Sequence, residues 1–203
     1  MTIASTWQRP IPHLQREGVT VREIALTDED ALFPIISSDI ARRLYSPPPD
    51  SREDFRRFIR RARRQHQNGD AVCLVAAADD PGNACGLFQV RRARGGAHVG
   101  EWGFVLDASQ WSQGTFVLAA SLVLDYLFDV VELRRLEARV IIDNGRAGAA
   151  LMKLGARPEG ILQQAFGRDD TFVDAVLWTI LRDQWIATRT AGSGTPNPPS
   201  FAA

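Results

Sequence analysis

The sequence predicts one domain of mixed α/β class, with a mostly antiparallel sheet built around one central parallel pair of strands. The key segment is 114–131, which is apolar nearly all round and therefore predicts a buried helix. Strand-length patterns flank it at 98–106 and 136–142, and a strand–helix–strand crossover makes two strands parallel. The other strands follow one another across short turns, which favours antiparallel pairing. A chain of 203 residues has room for one core.

The first predicted elements follow an N-terminal arm. Residues 1–18 contain two prolines and show little periodicity, whereas 19–24 alternates apolar and polar residues as a strand does. Thr27 followed by Asp30 fits a capping box, so we expect a short helix to begin there. The proline run at 47–49 predicts a loop.

A longer helix is predicted between Ser51, which suits an N-cap, and Gly69, which suits a helix end. Its apolar face consists of residues at helical spacing: Phe55, Phe58, Ile59, Ala62 and His66. Its other face carries six arginines: Arg56, Arg57, Arg60, Arg61, Arg63 and Arg64. A solvated helix face accounts for this charge run, and recruitment of an acidic partner or RNA is the alternative.

The rest of the chain alternates strands with one more helix. Further strands are predicted from apolar runs or alternation at 71–78, 84–90, 160–166 and 172–181. A glycine pair at 95–96 supplies a turn before the strand 98–106. Asn144 opens a helix that Gly155 ends. The Gly, Pro and Ser composition of 191–203 predicts a flexible tail, so the domain is expected to span 19–190.

Composition narrows the classes of function. The formal net charge is zero, which gives no reason to expect a nucleic acid or membrane partner. The sequence has neither a signal-peptide layout nor an apolar run of about 20 residues, so we expect a cytoplasmic protein. Cys73 and Cys85 lie in apolar stretches and are expected to be buried thiols. The sequence offers no Cys/His cluster, and we predict no metal site.

The loop before the central helix is a candidate anion site. Residues 111–115, which are Trp111, Ser112, Gln113, Gly114 and Thr115, lead from a strand into a helix start. Free N–H groups and the helix dipole favour negative charge there, and Gly114 lets a phosphate approach the backbone. The loop is therefore a candidate cradle for a pyrophosphate. Ordinary turn chemistry is the alternative.

Five motifs in order give the segment 101–160 a family resemblance. They are EWGF at 101–104, WSQG at 111–114, RLEAR at 135–139, NGRA at 144–147 and KLGARPEG at 153–160. The chain resembles the GCN5-related N-acetyltransferases (GNAT), in particular the branch of ribosomal-protein N-terminal acetyltransferases (RimJ/RimL-like). The resemblance extends over about 19–185 and agrees with the predicted order of elements.

The resemblance implies a GNAT-like fold in which the two parallel strands splay apart. It further implies that acetyl-CoA donates its acyl group directly to an amine, either a protein N-terminus or a small molecule. The pantetheine would bond to the backbone of Phe104, Val105 and Leu106, and the pyrophosphate would bind at 111–115. Asn144 and Arg146 are candidate CoA contacts, with an N-cap and a surface charge as the alternatives. We also expect the 51–69 helix and the 47–49 loop to wall the acceptor site.

The departures from the family pattern concern catalysis. Ser112 replaces the first loop glycine, and Ala147 stands where many branch members have a serine proposed to protonate the thiolate. Phe166 falls where some members carry an acidic base. Glu101, on the strand that lines the gap, remains as the candidate general base acting through water. Its alternative role is a structural carboxylate paired with an arginine.

The sequence is compatible with three hypotheses about function. The first is an N-acetyltransferase that moves the acetyl group of acetyl-CoA to a primary amine. The second is an acyltransferase using a larger acyl-CoA such as succinyl-CoA. The third is a non-catalytic acyl-CoA-binding module, which Ala147 and Phe166 favour and Glu101 disfavours. A homodimer also stays open.

Overall fold

The computed structural model describes residues 5–38, 49–80, 82–168 and 171–190. One sheet of eight strands runs through it in the order β1-β2-β3-β4-β5-β6-β8-β7. The strands are β1 (Leu14–Arg16), β2 (Val19–Glu23), β3 (Ala71–Ala78), β4 (Ala84–Arg92), β5 (Val99–Leu106), β6 (Arg135–Ile141), β7 (Arg157–Arg168) and β8 (Thr171–Leu181). The helices are α1 (Glu29–Ile36), α2 (Arg52–Asn68), α3 (Thr115–Asp125), α4 (Gly145–Lys153) and α5 (Arg182–Thr190).

The sheet has the predicted mixed pairing. Among the described strands, β5 and β6 are the parallel pair and all other neighbours are antiparallel. The parallel ladder joins Val99 to Arg135, Gly100 to Leu136 and Glu101 to Glu137, and it ends there. Both strands nevertheless continue for several residues. They therefore diverge beyond Glu101 and Glu137, and the predicted fold class with its splayed central pair is confirmed.

Helices cover both faces of the sheet. On one face, α3 and the π-helical turn Tyr126–Val130 bury Ala119, Val123 and Leu127 against strand residues such as Trp102 and Ala138, with side chains of α4 and α5 in the same cluster. On the other face, α1 and α2 pack around Leu32, Phe55 and Ile59 with side chains of β3 and β4. None of the described helices is both long and apolar enough to cross a membrane.

The helix predicted from Thr27 begins later than expected. Thr27 lies inside a 3₁₀ turn, Leu26–Asp28, and α1 starts at Glu29. The reason is the side chain of Asp28, which accepts a hydrogen bond from the Ala25 amide (2.8 Å) and pairs with Arg22 (2.6 Å). These contacts favour a tight turn over a capping box at Thr27. The predicted caps of α2, Ser51 and Gly69, are both observed.

Both ends of the described chain are more ordered than the sequence indicates. Within the expected arm, Leu14–Arg16 forms the edge strand β1, and Trp7 is fully buried with its indole N–H donating to the Ala97 carbonyl (2.8 Å). At the other end, α5 follows β8, and its Trp185 donates to Asp125 (2.9 Å). The proposed tail 191–203 and most of the 47–49 loop lie outside the described residues.

The two cysteines are buried, unbonded thiols, as predicted. Burial raises the pKa of both Cys73 and Cys85. Neither side chain is therefore suited to act as a nucleophile.

His66 fastens the N-terminal segment to α2 and β2 through both of its ring nitrogens. Nδ1 lies 2.9 Å from a carboxylate oxygen of Glu23, and Nε2 lies 3.1 Å from the Arg9 carbonyl. Both partners only accept hydrogen bonds, so the doubly protonated ring satisfies both contacts. The hydrogen bond to Glu23 raises the pKa of His66; burial opposes this rise, and the Arg9 carbonyl adds to it.

We expect this contact to make stability depend on pH. Because the folded pKa is raised above the unfolded value of about 6.5, the stabilisation is complete below about pH 6.5 and is lost as the pH rises through the folded value. Relative to His66→Gln, the wild type should lose on the order of 1 kcal/mol of unfolding free energy between about pH 6 and pH 9. Urea unfolding across this range measures it. A difference between the two proteins that does not change with pH would contradict the assignment.

Candidate active site

A cleft of about 450 Å³ opens where β5 and β6 diverge. Its strand walls are residues 102–106 of β5 and 138–141 of β6. Further lining residues come from the loop before α3, from α3 and from the start of α4, among them Gln110, Trp111, Ser112, Gly114, Phe116, Val117, Asn144, Arg146 and Ala147. Residues from both sheet faces contribute, so the cleft passes through the sheet. A second, smaller cavity of about 180 Å³ lies between β6 and α4.

The β5 wall contains the three residues predicted to contact pantetheine. Phe104, Val105 and Leu106 all line the cleft. Beyond Glu101, β5 has a strand partner on the β4 side only, since the ladder to β6 has ended. Backbone groups of this stretch that point toward β6 are therefore placed to bond an extended ligand. The Leu106 carbonyl accepts a hydrogen bond from the Trp111 indole (3.3 Å), which orients the following loop.

The loop at the start of α3 has the backbone of an anion site. Ser112 (φ 64°) and Gly114 (φ 83°) both adopt left-handed conformations, and no side chain caps α3. The Cβ of any side chain at position 114 would have no neighbour within 4 Å, so the space beside Gly114 is open. Uncapped N–H groups at a helix start favour an anion. The structure therefore leaves this helix end free for a ligand.

The predicted loop residues do not all face the cleft. Trp111, Ser112 and Gly114 line it. The Gln113 side chain instead donates to the Ser109 carbonyl (2.6 Å), and the Thr115 hydroxyl donates to Gln110 (3.0 Å). Gln113 and Thr115 thus contribute at most their backbone N–H groups, because their side chains are bonded within the loop.

The start of α4 forms the opposite wall. Asn144 lines the cleft and also caps α4, accepting from the Ala147 amide (3.2 Å), so its predicted alternative as an N-cap is observed. The Arg146 guanidinium lies 3.8 Å from the centroid of the Trp111 ring. This cation–π contact places a positive charge at the rim, beside the uncapped end of α3.

Glu101 lies at the vertex of the cleft, as the last residue of β5 that pairs with β6. Its carboxylate accepts from Arg91 (3.0 Å) and lies 3.8 Å from Arg139. Trp102 packs in the core on the α3 side, so Glu101 points to the other face. It is not among the residues that line the cleft. The arginine pairing foreseen as the alternative role of Glu101 is therefore present in the structure.

A second carboxylate at the vertex was not singled out from the sequence. Glu137 is the register partner of Glu101 on β6, and it accepts from Arg135 (2.7 Å). Arg135 also holds Glu159 with two hydrogen bonds, of 2.8 and 2.6 Å. These bonds lower the pKa of Glu159 to about 2, so Glu159 stays ionised and is unsuited to accept a proton. The alternating pattern RLEAR predicted that Glu137 lies on a strand. Its position beside Glu101 follows only from the parallel register of β5 and β6.

The arginines of α2 lie apart from the cleft. α2 packs on β3, two strands away from β5 in the sheet order. Carboxylates neutralise much of its charge: Arg56 pairs with Glu29, Arg57 with Asp54 and Arg60 with Glu53. The arrangement favours the solvated helix face for these arginines. α2 lies on the sheet face toward which Glu101 points, and its place in the acceptor wall stays a prediction.

Comparisons with known proteins agree with this geometry. A family model described as the acetyltransferase (GNAT) domain matches residues 19–157. An uncharacterised N-acetyltransferase p20 of Bacillus licheniformis is 23% identical, over 85% of this chain and 97% of that protein. The structure of Mycobacterium smegmatis RimJ in complex with CoA-disulfide superposes with a TM-score of 0.77 at 20% identity, covering 94% of this chain and 98% of that one. A spermidine N-acetyltransferase from Vibrio cholerae, in complex with CoA and spermine, gives a TM-score of 0.73 at 16% identity, covering 83% and 98%.

The family model covers more than half of the chain, and its match runs from β2 to the start of β7 across the diverging strands and the uncapped helix. The chain belongs to the GNAT acetyltransferase family and is an acyl-CoA-dependent acetyltransferase.

Proposed function

We propose that the protein transfers the acetyl group of acetyl-CoA to a primary amine by direct attack, within the ribosomal-protein N-terminal acetyltransferase branch and in the cytoplasm. The observation that carries this proposal is the cleft between β5 and β6, which ends at an uncapped helix start. A pyrophosphate suits that helix start and the nearby Arg146, while the exposed strand edge suits the amides of pantetheine. The RimJ structure with CoA-disulfide supports the same ligand class here.

The two faces of the sheet suggest separate routes for the two substrates. The anion site lies on the α3 side, so the donor would enter from there and place its thioester near the vertex. An acceptor would approach from the opposite face, toward which Glu101 points. A backbone N–H of β5 would polarise the thioester carbonyl, as in an oxyanion hole. Much of the rate would come from holding the amine and the thioester together.

Proton transfer has few candidate groups. Glu101 is the proposed base, acting through a water molecule because its carboxylate lies outside the cleft lining. Ala147 lines the cleft without a hydroxyl, and Phe166, on β7, is not among the lining residues. We therefore expect the CoA sulfur to leave as a thiolate, which is tolerable for a thiol of pKa about 8.5.

We expect acetyl-CoA to bind by calorimetry and to release free thiol in the presence of primary amines. An acceptor panel of small amines and peptides with free N-termini tests the reaction, with the same peptides N-formylated as matched controls. Thiol release that requires the free amine supports the proposal. Binding without release by any amine would favour the non-catalytic module, and faster release from succinyl-CoA than from acetyl-CoA would favour the larger acyl donor.

A further inference from the structure

The sheet face at the vertex, on the side opposite α3, carries charges of both signs from β4, β5, β6 and β7. The carboxylates are Glu101, Glu137 and Glu159, and the guanidiniums are Arg91, Arg135 and Arg139. Three carboxylates and three guanidiniums make the set neutral as a whole, and each carboxylate has at least one arginine within 4 Å. In the proposed function, the acceptor amine approaches from this face.

The charges differ in how far they reach into solvent. The side chain of Glu101 is 16% exposed and that of Glu137 is 19% exposed, so the two carboxylates at the vertex are largely shielded from solvent. Arg91 is 64% exposed and Arg139 is 44% exposed, and both stand beside Glu101. An approaching molecule therefore meets two guanidiniums before it reaches the carboxylates.

Arg139 in particular has hydrogen-bonding capacity left over. Within the described chain, its ion-pair partner is Glu101, and the 3.8 Å separation exceeds hydrogen-bond distance. Arg139 also lines the cleft, so its planar guanidinium borders the place where the acyl group would be transferred. Such a fork suits a carboxylate, which it can hold with two parallel hydrogen bonds.

These observations bear on the class of acceptor. A polyamine, or a peptide with a basic first residue, would bring a second positive charge against Arg91 and Arg139, and like charges placed together disfavour binding. An amine with a carboxylate a few bonds away would instead put its nitrogen near Glu101 and its anion on the arginines. We propose that the acceptor carries a carboxylate close to the amine, and that Arg91 and Arg139 select it. This inference rests on the proposed function.

Matched acceptors test the charge preference. The rate constant kcat/KM is measured at saturating acetyl-CoA for three peptides that differ in the first residue, Asp, Asn or Lys, and for free glutamate and spermidine. We expect the Asp peptide to exceed the Asn and Lys peptides by about tenfold or more, and spermidine to be the poorest acceptor. Glutamate exceeding the Asp peptide would mean that the carboxylate belongs to a free amino acid; the reverse would mean an acidic N-terminus.

Variants then assign the preference to the arginines. Arg139→Gln and, separately, Arg91→Gln should reduce the Asp-to-Asn ratio toward one, mainly by raising KM for the Asp peptide. Arg16→Gln removes a charge from β1, at the far edge of the sheet, and should leave that ratio unchanged. Thermal melting confirms that each variant is folded. If one arginine variant does not fold, the other still tests the assignment.

Two other results are distinguishable. Equal rates with the Asp, Asn and Lys peptides, or a preference that survives both arginine variants, would overturn the acceptor class and leave the acetyltransferase activity standing. If the two arginines instead favour an anionic acyl donor, such as succinyl-CoA over acetyl-CoA, the proposed acceptor class would also be overturned, because the arginines would then bind the acyl group. Thiol release from none of the acceptors would overturn the proposed function and this inference together.

Discussion

Gly114→Asp is expected to weaken acetyl-CoA binding by about tenfold or more. Gly114 sits at the N-cap of α3 with φ 83°, and no side chain caps this helix. The open space beside its Cα would place the aspartate carboxylate where the pyrophosphate is proposed to bind. Two like charges about 4 Å apart repel by several kcal/mol at an effective dielectric constant near 20, and solvent screening leaves about 1.4 kcal/mol or more, a factor of ten.

Gly114→Asn is the matched control for this substitution. Any side chain is strained at φ 83°, but Asn and Asp have the same shape and both tolerate left-handed backbone better than other residues. The two variants should therefore show similar melting temperatures, and calorimetry should show that only the Asp variant loses most of its acetyl-CoA affinity. Equal affinities for the two variants would place the pyrophosphate elsewhere.

Local signals were enough to predict most of the fold. The continuous apolar run 71–78 matches β3 at both ends, and Ser51 and Gly69 mark α2 because their cap conformations depend on neighbouring residues alone. The buried helix between two strands predicted the parallel pair, and with it the place of the cleft. These features follow from periodicity and from the handedness of crossovers, which a single sequence carries.

Elements that depend on distant contacts were missed. β1 has three residues and is held by pairing with β2, while Trp7 is buried through contacts far along the chain, including Ala97. α5 is short, and its side chains are fixed by Asp125 and Asp129, about 60 positions earlier. Neither segment has a periodic pattern long enough to predict its secondary structure. Both segments are stabilised mainly by tertiary contacts, which the local sequence does not reveal.

The candidate site also has a part that the sequence predicts and a part that depends on distant contacts. The loop before α3 was predictable because the glycine, the strand before it and the helix after it are adjacent in sequence. The surroundings of Glu101 were not, because Arg91 comes from β4 and Arg139 and Glu137 come from β6. Strand register brings these residues together, and register is set by the whole sheet. The sequence could thus name Glu101 but not its partners.

Glu101→Gln is expected to lower kcat by roughly 10²–10⁴-fold, the usual loss when a positioned base is removed, while acetyl-CoA affinity stays almost unchanged. Glutamine keeps the size of the side chain and a hydrogen-bond acceptor for Arg91, but it cannot take a proton. The acceptor amine must lose its proton before attack, since a free α-amine has a pKa of about 8. Steady-state kinetics between about pH 6 and pH 9, together with calorimetry, measure both quantities.

Arg91→Gln distinguishes a general-base role of Glu101 from a purely structural role in the ion pair with Arg91. It breaks the same ion pair from the other side, at a residue that is 64% exposed, and leaves the carboxylate in place. If Glu101 only ties β4 to β5, both variants should lose activity and melting temperature to the same modest extent, because each removes one partner of the pair. If Glu101 accepts the proton, kcat should collapse in Glu101→Gln alone, and Arg91→Gln should act mainly on KM for the acceptor. A Glu101→Gln enzyme with near-full kcat across the pH range would make Glu101 structural, and catalysis would then depend on positioning and on an amine that loses its proton to solvent.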